Sequence, residues 1–461
     1  MTALRLTITL LLLIACVTLE ITRLIIKPFP PEIFSTIEME FKYGSIGAEV
    51  NGFPYLIWRE LPSIFHDRIP GGWQDFGFIL EPGRPVPVGI SVRRVSIPRI
   101  GFNCATCHTS NVRYDGETTL LLGAPAAQLD IQSYLRFLQE VSVDPALTAD
   151  AVFDSAEKAG RPVGFIDKPV YRYLVFPRLR TQAAGLAAQF AWMQSRAAHG
   201  PGRTDAGNVW RARWGLQPEN DDAVGTVRFP SVWNQRERLD GAFHWDGNNS
   251  SLAERNYSAA LAGGSSDWLL PRRAIGKISD WLLDVKAPSF PAAIDAQLAE
   301  RGSIIYQRQG CGNCHDKPSG QIGHVTSLQQ VQTDPERKNL FTPLVAEYFN
   351  QVGSGYSWRF SHYRVTDGYV NMPLDGIWAR APYLHNGSVP DLDALLAPEA
   401  ERPVTFFRGC ADLEPRRVGF HCTNGFVFDT RLRGNGNQGH NYGTSLSADE
   451  KSALLEYLKT L

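Results

Sequence analysis

Two pentads, Cys104-Ala105-Thr106-Cys107-His108 and Cys311-Gly312-Asn313-Cys314-His315, constrain this 461-residue chain more than any other feature. In each, two thiols stand one helical turn apart and an imidazole follows the second directly. Such cysteines can bond to the two vinyl groups of a porphyrin while the histidine lies beneath the iron, which is how a c-type haem is attached. Chance does not supply the pattern: with 7 Cys and 10 His in 461 residues, the product of the frequencies gives roughly 0.002 such pentads. A zinc site or a redox dithiol also uses paired cysteines, but neither accounts for a histidine directly after each second one. The expectation is a chain folded around two covalently bound c-type haems (iron), with His108 and His315 as axial ligands.

Haem attachment to such pentads takes place outside the cytoplasm, and the N-terminus agrees. After Arg5, the apolar run Leu6 to Ala15 is too short to span a bilayer alone and reads as the core of a signal peptide, interrupted further on by Glu20, Arg23 and Lys27. Leu13-Ile14-Ala15-Cys16 resembles a bacterial lipobox, which would make residues 1–15 the signal peptide and Cys16 the lipid anchor. An uncleaved anchor from about Leu6 to Ile26 and ordinary cleavage are the alternatives; all three place the body on the periplasmic side. In an oxidising compartment the remaining Cys410 and Cys422 are expected to form a disulfide worth about 3 kcal/mol in the chain-entropy model, the alternative being two free buried thiols. A net charge of −1 lacks the basic footprint of a phosphate binder, so no nucleic-acid partner is expected.

The fold class expected is mainly α with much irregular loop, since the chain carries 41 Gly and 30 Pro: two cytochrome c-like haem domains behind an irregular N-terminal extension. The extension is placed at 16–95, the first haem domain at 96–287 and the second at 288–461, with the boundary in Lys286-Ala287-Pro288 to Pro291. Apolar periodicity predicts helices over Ala127 to Val141, Arg180 to Ala198 and Ile294 to Gln309. Gly302 and Tyr306, shortly before Cys311, are the pair with which small cytochromes c cross their terminal helices. Ser447 and Glu450 form a capping box ahead of a last helix with Ala453, Leu454, Leu455, Tyr457, Leu458 and Leu461.

Asp375-Gly376-Ile377-Trp378-Ala379-Arg380-Ala381-Pro382-Tyr383-Leu384-His385-Asn386-Gly387-Ser388 resembles the RAPYLHNGS signature of the bacterial di-haem cytochrome c peroxidase and MauG superfamily. Phe229-Pro230-Ser231-Val232-Trp233-Asn234 and Trp245-Asp246-Gly247 are similar to its PTVFN and FWDG pair. The resemblance covers roughly residues 96 to 461. Within the superfamily it is closest to the rubber-oxygenase-like branch, on Phe41-Lys42-Tyr43-Gly44-Ser45-Ile46-Gly47 and on Gly434-Asn435-Gly436-Asn437-Gln438-Gly439-His440-Asn441-Tyr442-Gly443.

The resemblance implies a six-coordinate electron-transfer haem at Cys311/Cys314 and an open, reactive one at Cys104/Cys107. His440 is the first choice for the second axial ligand of the former, with His385 and Met372 as alternatives; Met372 precedes Pro373, as axial methionines often do. Phe229, Trp233, Phe243, His244, Trp245 and Glu254 are the candidates for the distal pocket of the latter. The peroxidases carry a glutamine two residues before the WDG tryptophan and an acid/base glutamate eight after it. Phe243 and Ala253 occupy those positions here, and Glu254 is one residue late. That departure favours an oxygenase acting on dioxygen beside an apolar organic substrate. A peroxidase consuming hydrogen peroxide and a plain electron carrier are the alternatives, and a small redox protein or a quinol-derived source is the expected electron partner.

Overall fold

The computed structural model describes residues 8, 9, 11–17, 33–217 and 221–461. Of the N-terminal apolar run, residues 8, 9 and 11–17 are helical and Cys16 is exposed, whereas Glu20, Arg23 and Lys27 lie outside the described residues. Among the described residues no helix is long and apolar enough to cross a membrane. Helices and loops dominate, and among the described residues the strands form six separate antiparallel pairs.

Residues 33–102 are more ordered than their composition suggests. Thr36 caps the helix Ile37–Tyr43, a second helix runs over Tyr55–Ile64, and Ile90–Val95 pairs with Ile97–Phe102 in a hairpin. The irregular extension expected over 16–95 is corrected on this point, because its aromatic side chains complete the first core. Phe41, Trp58 and Leu61 are buried together with Tyr134, Phe137 and Phe153 from later helices. Trp58 stacks on Trp73 with ring centres 4.4 Å apart and donates its indole N–H to the Tyr134 hydroxyl at 2.9 Å.

The first pentad stands between two hairpins. Asn103 Oδ1 accepts the Ala105 N–H at 3.0 Å and Thr106 Oγ1 accepts the Asn103 N–H at 3.2 Å, a reciprocal cap that starts the single turn Cys104–Cys107. Directly after His108, Thr109–Tyr114 folds back on Glu117–Leu122 through Asp115-Gly116, both residues in the left-handed region that a two-residue turn needs. Downstream, the helix expected from Ala127 begins instead at Ile131, where Asp130 caps it. The helix expected over Arg180–Ala198 runs earlier, from Asp167 to Gln189 through a π turn at Tyr171–Val175. It follows the stripe that meets the core, Tyr171, Phe176, Leu179 and Ala183, and its last turns, to Gln189, are exposed.

Beyond Leu282 the chain is coil until the helix Ala296–Arg308, which crosses the last helix, Ala448–Lys459. Only glycine fits at the crossing: a Cβ on Gly302 would stand 1.9 Å from the Ala453 carbonyl oxygen. Tyr306 and Tyr457 pack beside it with ring centres 5.1 Å apart, and Ser447 and Glu450 form the capping box. These helices bury Ile305, Tyr306, Leu454, Leu455 and Leu458 in a second core. Val112, Leu121 and Trp233 enter that same core, so the hydrophobic interior does not divide at residue 287. Cys410 and Cys422 are joined, Cα atoms 5.5 Å apart, at the end of a hairpin of Thr405–Arg408 and Phe426–Asp429.

Candidate haem-binding sites

A cavity of about 210 Å³ opens beside the second pentad, lined by Cys311, Cys314, His315, Met372, His385 and His440 together with Arg228 and Arg380. His315 Nδ1–H donates to the Met372 carbonyl at 2.7 Å, which fixes the tautomer and leaves Nε2 free on the opposite edge of the ring. The His440 ring faces it, centres 6.3 Å apart. Two imidazoles joined to one metal by bonds of about 2 Å have ring centres about 6 Å apart, so this spacing fits a single iron between them. His440 Nδ1 is buried without a hydrogen-bond partner. Burial, and then the neighbouring His315, push the His440 pKa down to about 4; burial also lowers that of His315, so both rings are neutral as ligands must be.

The loop around His440 is built to hold this pose. Gly439 lies against the backbone of Gln332, where a Cβ would be 2.3 Å from the carbonyl carbon, and His440 itself has φ 51°. Arg402 Nη1 donates to the carbonyls of Asn437 at 2.5 Å and Gly439 at 2.8 Å, while Glu399 Oε1 accepts the Gly439 N–H at 2.8 Å. His385 lines the same cavity but lies flat on Tyr369, ring centres 4.0 Å apart. Met372 supplies the carbonyl behind His315. The geometry thus brings the His315 and His440 rings opposite one another, tilted by 45°, while His385 is stacked on Tyr369 and Met372 also lines the cavity.

At the first pentad the same device recurs, with His108 Nδ1–H donating to the Pro230 carbonyl at 2.9 Å. Burial pushes the Cys104 thiol up to about 11 and Cys107 to about 12. Among the described residues, no group of three or more His, Cys, Asp or Glu is placed to hold a metal ion by itself. Burial, and then the charge of Arg255, lower the His108 pKa to about 4.

Several distal-pocket expectations change. Pro230 sits behind His108, on its Nδ1 edge, and the neighbouring Phe229 packs in the first core. Trp233 packs in the second core under Arg380 and donates its indole N–H to the Asp375 carbonyl at 2.9 Å. Trp245 lines the second cavity and donates to the Arg228 carbonyl at 2.9 Å. His244 Nδ1 bonds Asn248 Oδ1 at 2.7 Å within its own loop, and burial lowers its pKa to about 4. Glu254 is saturated: Oε1 accepts from Ser361 N at 2.9 Å and His362 Nδ1 at 2.6 Å, and Oε2 from Asn249 Nδ2 at 3.0 Å and His362 N at 3.1 Å. Ala253 is exposed. Phe243 remains: it is 1% exposed and flanked by Arg238 and by Arg255, the arginine whose charge reaches Cys104. The sequence reading missed these arginines, because only Arg380 lies in a recognisable motif.

Residues 368–407, which carry Met372, Arg380 and His385, match the family model described as RoxA-like, cytochrome c-like. The chain contains a cytochrome c-type domain. That domain supports a c-type haem protein and, with it, a haem-dependent oxidoreductase. Two proteins of Sinorhizobium fredii (strain NBRC 101917 / NGR234) are similar to this c-type chain. "Uncharacterized protein y4iJ" is 26% identical, covering 85% of this chain and 82% of its own length. "Uncharacterized protein y4iM" is 28% identical over 53% of this chain and 66% of its own length. Among solved structures, hydrazine synthase of Kuenenia stuttgartiensis aligns with 52% of this chain and 74% of its own at 15% identity, with a TM-score of 0.25 that is too low to relate the folds.

Proposed function

We propose that this chain is an exported di-haem c-type oxidoreductase with two unequal sites, one closed for electron transfer and one open for dioxygen chemistry beside an apolar substrate. The observation that carries this reading is the pair of imidazoles, His315 and His440, 6.3 Å apart across one cavity. When bound, haem would supply one-electron transfer at the second site and dioxygen or peroxide activation at the first. The residues set that division. Cys311 and Cys314 would tether the porphyrin, and His315 and His440 would hold its iron from opposite sides, leaving no site there for an exchangeable ligand.

At the first site Cys104 and Cys107 form the tether and His108 is aimed by the Pro230 carbonyl. Among the described residues no second imidazole pairs with His108 as His440 does with His315. Phe243 excludes water from the neighbourhood of Arg255, and Glu254, held by four donors, is not free to carry a proton between peroxide oxygens. A small redox protein or a quinol-derived source delivers electrons, and Cys16 lipidation or the N-terminal helix holds the body at the periplasmic face of the membrane. Peroxide consumption with a reduced small cytochrome as donor tests the reading. Slow turnover is expected, and rapid turnover would replace the oxygenase with a peroxidase.

A further inference from the structure

Four arginines form a row between the two pentads. Arg255 stands on the helix Leu252–Ala262, which packs against Cys104 of the first pentad through Tyr257 and Ala260. Arg255 and Arg238 flank Phe243, each guanidinium 5.5 Å from the ring centre. Gln235, which accepts from Arg255, donates to the Trp233 carbonyl at 3.2 Å, Arg380 lies 5.5 Å from the Trp233 ring centre, and Arg228 and Arg380 line the cavity beside His315. Arg228, Arg238 and Arg380 are only 6%, 4% and 3% exposed.

Their partners orient them without neutralising them. Arg228 donates to the carbonyls of Leu384 at 2.9 Å and Arg380 at 2.7 Å; Arg380 donates to the carbonyls of Pro373 at 2.6 Å and of Asp375. Arg238 reaches the Ala242 carbonyl at 3.0 Å and Arg255 the Gln235 amide oxygen at 3.1 Å. The Nε atoms of Arg238, Arg255 and Arg380 are buried with no partner. Among the described residues none of the four is ion-paired with a carboxylate, whereas buried Arg337 pairs with Asp246 at 3.2 Å. Guanidinium groups do not lose their proton in proteins, and burying like charges side by side without an anion is heavily penalised. The row therefore calls for oxyanions at the places where two porphyrins would lie, and each haem brings two propionate carboxylates.

We propose that this row is the propionate socket of both haems, with Arg228 and Arg380 holding the carboxylates of the second haem and Arg238 and Arg255 those of the first. The inference rests on the di-haem reading above. It gives the four arginines a joint role: they would hold the propionate-bearing edge of each porphyrin and favour the ferrous state of both irons by their charge.

Optical redox titration of the full-length holoprotein tests it, with pyridine haemochrome counting haems. Arg228→Gln should favour the ferric form of the low-spin haem at least tenfold, a fall of about 59 mV for a one-electron couple. Arg228→Lys should restore most of that fall, and Arg238→Gln should shift the other haem instead. Resonance Raman of the parent should show propionate bending bands of hydrogen-bonded carboxylates, a readout that needs no variant to fold. Unchanged potentials in the Gln variants with both haems present, unbonded propionate bands in the parent, or a parent potential that follows added phosphate would each overturn the socket. Fewer than two haems in the parent would instead overturn the di-haem reading on which it stands.

Discussion

Glu254 acts as a bracket between the start of its helix and the 361–362 backbone. Losing the charge through Glu254→Gln weakens bonds that to a charged acceptor are each worth about 1.5–3 kcal/mol. Urea unfolding should therefore show a loss of about 2 kcal/mol or more, while peroxide turnover stays where it was. A drop in turnover of two orders of magnitude without loss of stability would make Glu254 the acid/base group after all. Ala253→Glu should be silent in the same assay because that position faces solvent. His440→Ala should leave His315 alone on its haem and convert a low-spin signal to high spin, whereas Met372→Ala should not. Acid should also destabilise the fold. Burial holds His244 near a pKa of about 4 and His385 near about 3, against about 6.5 in an unfolded chain, so the unfolded state gains protons first as the pH falls. Their contribution to stability is full above about pH 6.5 and is lost progressively towards pH 4. A urea midpoint that stayed constant over that window would contradict it.

At the level of elements, the crossing of Ala296–Arg308 with Ala448–Lys459 reverses the usual effect of a helical glycine. Gly→Ala in a helix interior ordinarily stabilises by about 1 kcal/mol, but at residue 302 the added methyl meets the Ala453 carbonyl and must force the helices apart, at a cost of about 1–3 kcal/mol. A lower melting temperature for Gly302→Ala is the expected outcome, and a higher one would mean the helices do not cross here. This crossing, the capping box at Ser447 and both pentads were legible in the sequence because each depends on neighbours within a few residues or on helical period. The surroundings of the pentads were not. Pro230 reaches back to His108, Met372 to His315 and the 361–362 backbone to Glu254, and no local pattern encodes which carbonyl or amide meets which side chain. The order of the N-terminal segment is not legible locally for a related reason: Trp58 and Trp73 gain their burial from Tyr134 and Phe137, which lie far along the chain.

For the whole molecule, the central claim is asymmetry: one haem closed on both faces by His315 and His440, the other open opposite His108. The second core takes Val112, Leu121 and Trp233 from before the expected boundary at 287 and packs them with residues after it, and Val285 packs against both cores. A single EPR spectrum of the oxidised, full-length holoprotein tests the claim most directly, because it counts high-spin and low-spin ferric haems together. One low-spin and one high-spin signal in equal amounts is the predicted result, with the low-spin signal lost in His440→Ala. Two low-spin signals would contradict the account and leave an electron carrier in place of an enzyme.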